Sequence, residues 1–300
     1  MKPAWLKSRI PSGQNYLQLK GMLKELRLNT VCEEAHCPNI ADCWERQTAT
    51  VMIMGDICTR SCGFCAVKTG KPFELDAQEP EHVAEAIARL GLKHVVITSV
   101  DRDDLPDGGA GHFAKTIREV KARCPETQVE VLIPDFRGKG DSLHRIFEAE
   151  PHILNHNLET VKRLQKTVRP QASYERSLEV LQLASQAGMV AKSGLMLGLG
   201  ESDTELREAL RDLREVGRVT ILTLGQYLRP TPQHLEVQRY VPPLEFEAWG
   251  RFAEDLGFEY VASGPMVRSS YHADEAARRF APTPPEAGKS DLPGLTLKTP

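Results

Sequence analysis

The chain has 300 residues, 41% of them hydrophobic and 26% charged, with a formal net charge of -3. That composition is ordinary for a globular protein, and so small a charge leaves no electrostatic footprint for general nucleic-acid binding. No run of about 18 apolar residues is present, so no membrane span is expected. The Met-Lys-Pro-Ala-Trp-Leu-Lys start leads into no apolar signal core, which makes the cytoplasm, with its reduced thiols, the expected compartment.

Residues 1–48 show little regular patterning beyond a short helical stretch over 17–26. Apolar runs of strand length then fall at 50–54, 94–98, 129–133 and 153–154, and later at 191–197 and 219–224. Runs this apolar suit a parallel sheet buried on both faces. Helical spacings separate them: Val83, Ile87 and Leu90, then Leu178, Leu181 and Ala184. Glu201-Ser202-Asp203 is a capping signal ahead of a helix over 206–216. Phe246, Trp249, Ala253 and Leu256 make a last amphipathic face.

Six βα units are too few for a closed eight-fold barrel. The expected fold is α/β, a partial (β/α)6 TIM-like barrel with a parallel sheet over residues 49–264. Residues 1–48 would be an N-terminal extension and 265–300 a C-terminal one. The final 281–300 stretch is rich in Pro, Gly, Thr and Lys and is expected to be mobile.

Six of the seven cysteines lie between positions 32 and 65. In a reducing compartment such grouping reads as metal binding before it reads as disulfides. Cys58, Cys62 and Cys65 form a C-x3-C-x2-C motif just past the first strand. Three soft thiolates suit three irons of a [4Fe–4S] cube, and no fourth cysteine follows at motif spacing. The fourth iron would be open, as in a cluster that binds a substrate or cofactor. Structural zinc is the rival, but it usually pairs two C-x2-C arms or cysteines with histidines. Cys32, Cys37 and Cys43, spaced C-x4-C-x5-C, offer three more thiolates for a second cluster. His36 beside them reads as a hydrogen-bond donor before a ligand, and Cys124 as a packed free cysteine.

The C-x3-C-x2-C motif, with aromatic Phe64 before its last cysteine, resembles the radical S-adenosylmethionine superfamily. The two triplets together resemble the lipoyl synthase family, and matching stretches run along nearly the whole chain. They are Glu-Ala-His-Cys-Pro-Asn at 34–39, Thr-Ser-Val-Asp-Arg-Asp-Asp-Leu at 98–105 and Leu-Asn-His-Asn-Leu-Glu-Thr at 154–160. Lys-Ser-Gly-Leu-Met-Leu-Gly at 192–198, Gly-Gln-Tyr-Leu-Arg-Pro-Thr at 225–231 and Arg-Ser-Ser-Tyr-His at 268–272 complete the set.

The resemblance implies insertion of sulfur at C6 and C8 of an octanoyl chain on a lysine of a carrier protein. Two S-adenosylmethionine molecules would be cleaved to radicals at the Cys58–Cys62–Cys65 cluster. The auxiliary cluster on Cys32, Cys37 and Cys43 would supply the sulfur, with Ser270 as its fourth ligand. Implied partners are an octanoylated lipoyl domain or glycine-cleavage H protein, a low-potential electron donor and an iron–sulfur carrier; no nucleic acid or membrane is expected. Polar residues near strand ends are candidates to contact S-adenosylmethionine or order its site: Thr98, Ser99, Asp101, Asn157, Lys192, Glu201 and Arg229. The rivals are another two-cluster radical enzyme, such as a methylthiotransferase or a biotin-synthase-like sulfur inserter, and a non-catalytic iron–sulfur scaffold.

Overall fold

In the computed structural model, residues 3–7, 13–45, 50–271 and 273–280 are described. The stretch 281–300 expected to be mobile lies outside them, as does position 272 of the Arg-Ser-Ser-Tyr-His motif.

Helix α1 (Gln14–Glu25) leads to the two-residue strand β1 (Asn29–Thr30), the short helices α2 (Val31–Glu34) and α3 (Ile40–Glu45), and β2 (Thr50–Ile53). A small side ladder, β3 (Ile57–Cys58) with β4 (Lys68–Thr69), brackets the loop between them. Helices and strands then alternate: α4 (Glu79–Leu90), β5 (His94–Ser99), α5 (Ala110–Arg123), β6 (Gln128–Leu132), α6 (Gly140–Glu148) and β7 (Ile153–Asn155). The second half adds α7 (Gln165–Val168), α8 (Tyr174–Gln186), β8 (Val190–Leu197), α9 (Asp203–Glu215), β9 (Ile221–Gln226), α10 (Pro243–Asp255), β10 (Tyr260–Gly264) and α11 (Ala273–Arg279).

Strands β2, β5, β6, β7, β8, β9 and β10 form one parallel sheet in that order, and β1 adds antiparallel to β2. The sheet ends at β1 and β10 without closing, so the barrel is partial and open on one side. All six strands expected from apolar runs are present. β10 is a seventh parallel strand that the pattern did not announce. Its Tyr-Val-Ala-Ser-Gly sequence is only half-buried along its length, so it lacks the continuous apolar run of a central strand.

The described part of residues 1–48 is more regular than its patterning suggested, because packing rather than periodicity stabilises it. Leu19 of α1 and Trp44 of α3 are fully buried, and the Tyr16 and Trp44 rings lie 5.0 Å apart. The later helices cover the outside of the sheet. Val83 and Ile87 of α4 and Phe113 and Ile117 of α5 pack with Val95, Ile97 and Val129. Leu178, Leu206, Leu210, Phe246 and Trp249 do the same over Leu195, Leu222 and Leu224. Ser202 is the N-cap of α9 and forms a full capping box with Glu205, which fixes where the chain leaves β8.

Candidate active site

The loops that leave the parallel strands surround a cavity of about 560 Å³. Such a volume is in the range of a cofactor or small-molecule site. Thr98 and Ser99 from β5, Leu132 from β6, Gly194 to Met196 from β8, and Gly225 and Gln226 from β9 supply its walls. Cys58, Cys62 and Cys65 line it, and so do Cys32 and Cys37.

The loop carrying the first triplet is fixed from several sides. Thr59 donates to the Asp101 carbonyl through its amide at 3.0 Å and its hydroxyl at 2.9 Å. Gly63 donates its N–H to the Val168 carbonyl at 2.9 Å and accepts from the Leu235 N–H at 3.0 Å. His234 Nε2 donates to the Cys65 carbonyl at 2.9 Å. The amides of Arg60 and Asp101 approach Cys58 Sγ at 3.4 and 3.3 Å, donors that would stabilise a thiolate there.

Arg60, inside the motif itself, is buried among three carboxylates: Asp101 at 3.2 Å, Asp103 at 2.8 Å and Asp135 at 2.7 Å. Burial would push Asp135 up, but the Arg60 guanidinium overrides it and holds that carboxyl well below the usual range. Asp101 goes the other way: burial raises it more than Arg60 lowers it.

The second triplet is assembled by the chain's two ends. Cys32 lies in α2, Cys37 follows it and Cys43 lies in α3, while the segment after β10 returns to meet them. Asn39 Nδ2 donates to the Met266 carbonyl at 2.7 Å, and Thr50 Oγ1 donates to Ser270 Oγ at 2.8 Å. The result is a small void bordered by Cys32, Cys37, Cys43 and Ser270, together with Asn39, Thr50, Arg268 and Tyr271.

These thiols have the soft-donor chemistry that iron–sulfur clusters take. Burial pushes Cys32 and Cys58 up to about 11 and Cys62 up to about 12, and raises Cys37 and Cys65. Left alone, such thiols stay neutral and inert; a bound metal centre is what deprotonates them. Among the described residues no three His, Cys, Asp or Glu side chains converge to hold a single metal ion. Each triplet borders a void: Cys58, Cys62 and Cys65 the main cavity, and Cys32, Cys37 and Cys43 the smaller one.

Of the seven polar candidates, five border the main cavity: Thr98, Ser99, Asp101, Asn157 and Arg229. Ser99 Oγ and Asn157 Oδ1 are buried there without a hydrogen-bond partner, which suits a bound polar ligand. Lys192 and Glu201 do not reach the cavity. The Lys192 ammonium is buried against Glu130 at 2.8 Å, and the Glu201 carboxylate accepts the N–H groups of Gly198 and Leu199 at 2.6 and 2.9 Å. Both are structural contacts.

Several residues at the site carried no separate signal. Glu159 borders the cavity from a left-handed backbone (φ 66) and is pushed up by burial; it was visible only as part of the 154–160 stretch. Arg169 reaches back from the end of α7 to the carbonyls of Asn157 and Leu158 at 2.9 and 3.3 Å. Arg60 was visible only as a spacer between cysteines.

Comparison with known proteins sharpens this picture. The radical SAM superfamily profile matches residues 52–213, and that of the N-terminal domain of lipoyl synthase of the radical SAM family matches residues 1–37. The chain is 55% identical to lipoyl synthase of Rubrobacter xylanophilus, over 93% of this chain and 88% of that one. It is 57% identical to lipoyl synthase of Thermus thermophilus, over 91% of this chain and 85% of that one. Among solved structures, Streptococcus suis SuiB bound to S-adenosylmethionine superposes with a TM-score of 0.58 at 11% identity, covering 75% of this chain and 54% of that one. At that identity the likeness concerns the fold alone.

Proposed function

The chain belongs to the lipoyl synthase family of the radical SAM superfamily, and from that premise we propose how its residues divide the reaction. The enzyme is a radical SAM sulfurtransferase that inserts two sulfur atoms, at C6 and C8, into a protein-bound octanoyl group. It uses two [4Fe–4S] clusters and S-adenosylmethionine. When bound, these groups would supply a 5′-deoxyadenosyl radical and the sulfur to be inserted.

In this reading Cys58, Cys62 and Cys65 hold the radical-generating cluster. Cys32, Cys37, Cys43 and Ser270 hold the auxiliary one. Thr98, Ser99, Asp101, Asn157 and Arg229 bind and orient S-adenosylmethionine, with Glu159 added from the cavity wall. Glu201 instead holds the turn after β8 through the Gly198 and Leu199 amides. Cys32 is buried and the other five thiols are partly buried, so the residues around them would limit the access of water to the clusters they would hold.

Residues 1–48 would serve as the extension carrying the auxiliary cysteines, 49–264 as the barrel, and 265–300 as the extension carrying Ser270. The partners proposed are an octanoylated lipoyl domain or H protein, a low-potential electron donor and an iron–sulfur carrier. No described helix is long and apolar enough to cross a membrane; the cytoplasm is the proposed compartment.

The observation that carries the assignment is that members of both triplets border one space: Cys58, Cys62 and Cys65 line the main cavity, and Cys32 and Cys37 face it and the auxiliary void alike. Replacing either triplet by alanine tests it. Each variant should retain about four irons after anaerobic reconstitution, against about eight in the parent. A variant that keeps eight would remove its triplet from the ligand set.

A further inference from the structure

Arg268 carries a charge that no described carboxylate meets. The other arginines around the site are engaged: Arg60 by three aspartates, Arg229 by Glu236 at 3.3 Å, and Arg169 by backbone carbonyls. Arg268 is partly buried, and among the described residues its guanidinium donates from Nη1 to its neighbour's carbonyl, Val267 O, at 2.6 Å. Its side chain borders two spaces at once, the main cavity and the small void ringed by Cys32, Cys37, Cys43 and Ser270.

The backbone is shaped to place it there. A Cβ at Gly225 would lie 2.1 Å from Val267 O and 3.3 Å from Arg268 Nη1, so the bare glycine on β9 is what lets this segment seat. The Asn39–Met266 and Thr50–Ser270 hydrogen bonds fasten it on either side. Guanidinium remains charged in any protein environment, and an unpaired charge taken out of water is expensive. A fold that builds a seat for such a group therefore implies an anion beside it. A cubic cluster with three thiolates and a serine oxygen is that anion, since four negative ligands exceed the positive charge of its core.

We propose that Arg268 is the counter-charge of the auxiliary cluster, a positioning residue that sits between it and the substrate cavity and raises its reduction potential. This rests on the assignment of that cluster to Cys32, Cys37, Cys43 and Ser270. A nearby cation favours the reduced, more negative state, so its removal should lower the potential.

The test uses the full chain with Cys58, Cys62 and Cys65 replaced by alanine, so that a single cluster can load. Arg268→Gln and Arg268→Lys are made in that background, reconstituted anaerobically, assayed for iron and sulfide, and titrated by EPR for their midpoint. The parent should load about four irons; if it loads none, the auxiliary assignment itself is wrong and not the role of Arg268. The expected result is a midpoint shifted to lower potential in R268Q and returned near the parent value in R268K. R268Q that fails to load while R268K loads would also support a requirement for charge. Equal midpoints in all three proteins, or loss of loading in both variants, would overturn the proposal.

Discussion

The hydroxyl of Thr50, the first residue of β2, donates a 2.8 Å hydrogen bond to the hydroxyl of Ser270. The two residues are 220 positions apart in the chain. One belongs to the rigid sheet, the other to a segment that has just crossed the open side of the barrel. This bond ties the proposed serine ligand to the scaffold beside Cys32, Cys37 and Cys43.

Thr50→Val keeps the shape and removes the donor. A hydrogen bond of this kind contributes on the order of 1 kcal/mol, so auxiliary iron should be stripped roughly fivefold faster by a chelator. The radical-cluster iron should be unaffected. Equal loss from both sites would mean that Thr50 acts on the whole fold. Ser270→Cys is expected to assemble the cluster but slow turnover, because a softer fourth ligand holds its iron more firmly. Undiminished activity in that variant would refute a role for the serine in releasing iron.

Gly225→Ala should empty the auxiliary site without removing any of its proposed ligands. Its Cβ would collide with the Val267 carbonyl, a backbone atom that cannot step aside without moving the segment carrying Ser270. The iron content after reconstitution should drop from about eight to about four, with the protein still folded by circular dichroism. Full iron content would show that the segment accommodates a methyl group.

The two halves of the site were not equally legible in the sequence. The thiol triplets were readable because cysteine is rare in this chain outside them and their spacing is local. Ser270 was reached only through the resemblance of the 268–272 stretch, since its contact with Thr50 and the void beside it exist only in the folded chain. Lys192 shows a different limit. It lies on the same face of β8 as Gly194 and Met196, which do line the cavity. Periodicity gives the face but not the depth: two residues earlier along β8, Lys192 meets Glu130 below the cavity floor. β10 was missed for a related reason, because a half-buried edge strand needs no apolar run.

Lys192 should therefore behave as a structural residue. Burial would push Glu130 up, but the neighbouring ammonium overrides it and holds the carboxyl below its ordinary range. Lys192→Met strands that carboxylate and should cost about 3–5 kcal/mol in urea unfolding. The double variant Lys192→Met/Glu130→Leu should recover most of the loss and bind S-adenosylmethionine like the parent. Weakened cofactor binding in the folded double variant would return Lys192 to the site.

His156 predicts an acid limb in the stability curve. It is fully buried, donates from Nδ1 to the Ile133 carbonyl at 2.8 Å and accepts at Nε2 from Ser177 Oγ at 3.0 Å. Burial, with help from Arg169, lowers it from 6.5 to about 4. Between these values the unfolded chain binds a proton that the folded chain refuses, so stability falls as pH drops from about 6.5 to about 4. The full contribution is on the order of 3 kcal/mol. Unfolding free energies of the parent and of His156→Gln across that window should run with different slopes; parallel curves would contradict the assignment.

The central claim is that both clusters act on one substrate in one cavity. The most direct measurement reconstitutes the enzyme anaerobically and supplies a reductant, S-adenosylmethionine and an octanoylated lysine peptide. Iron, 5′-deoxyadenosine and thiolated peptide are then quantified together. The account predicts about eight irons per chain, two 5′-deoxyadenosines per dithiolated product, and no product from either triplet variant. Cofactor cleavage without sulfur in the peptide, from enzyme with both clusters loaded, would contradict it.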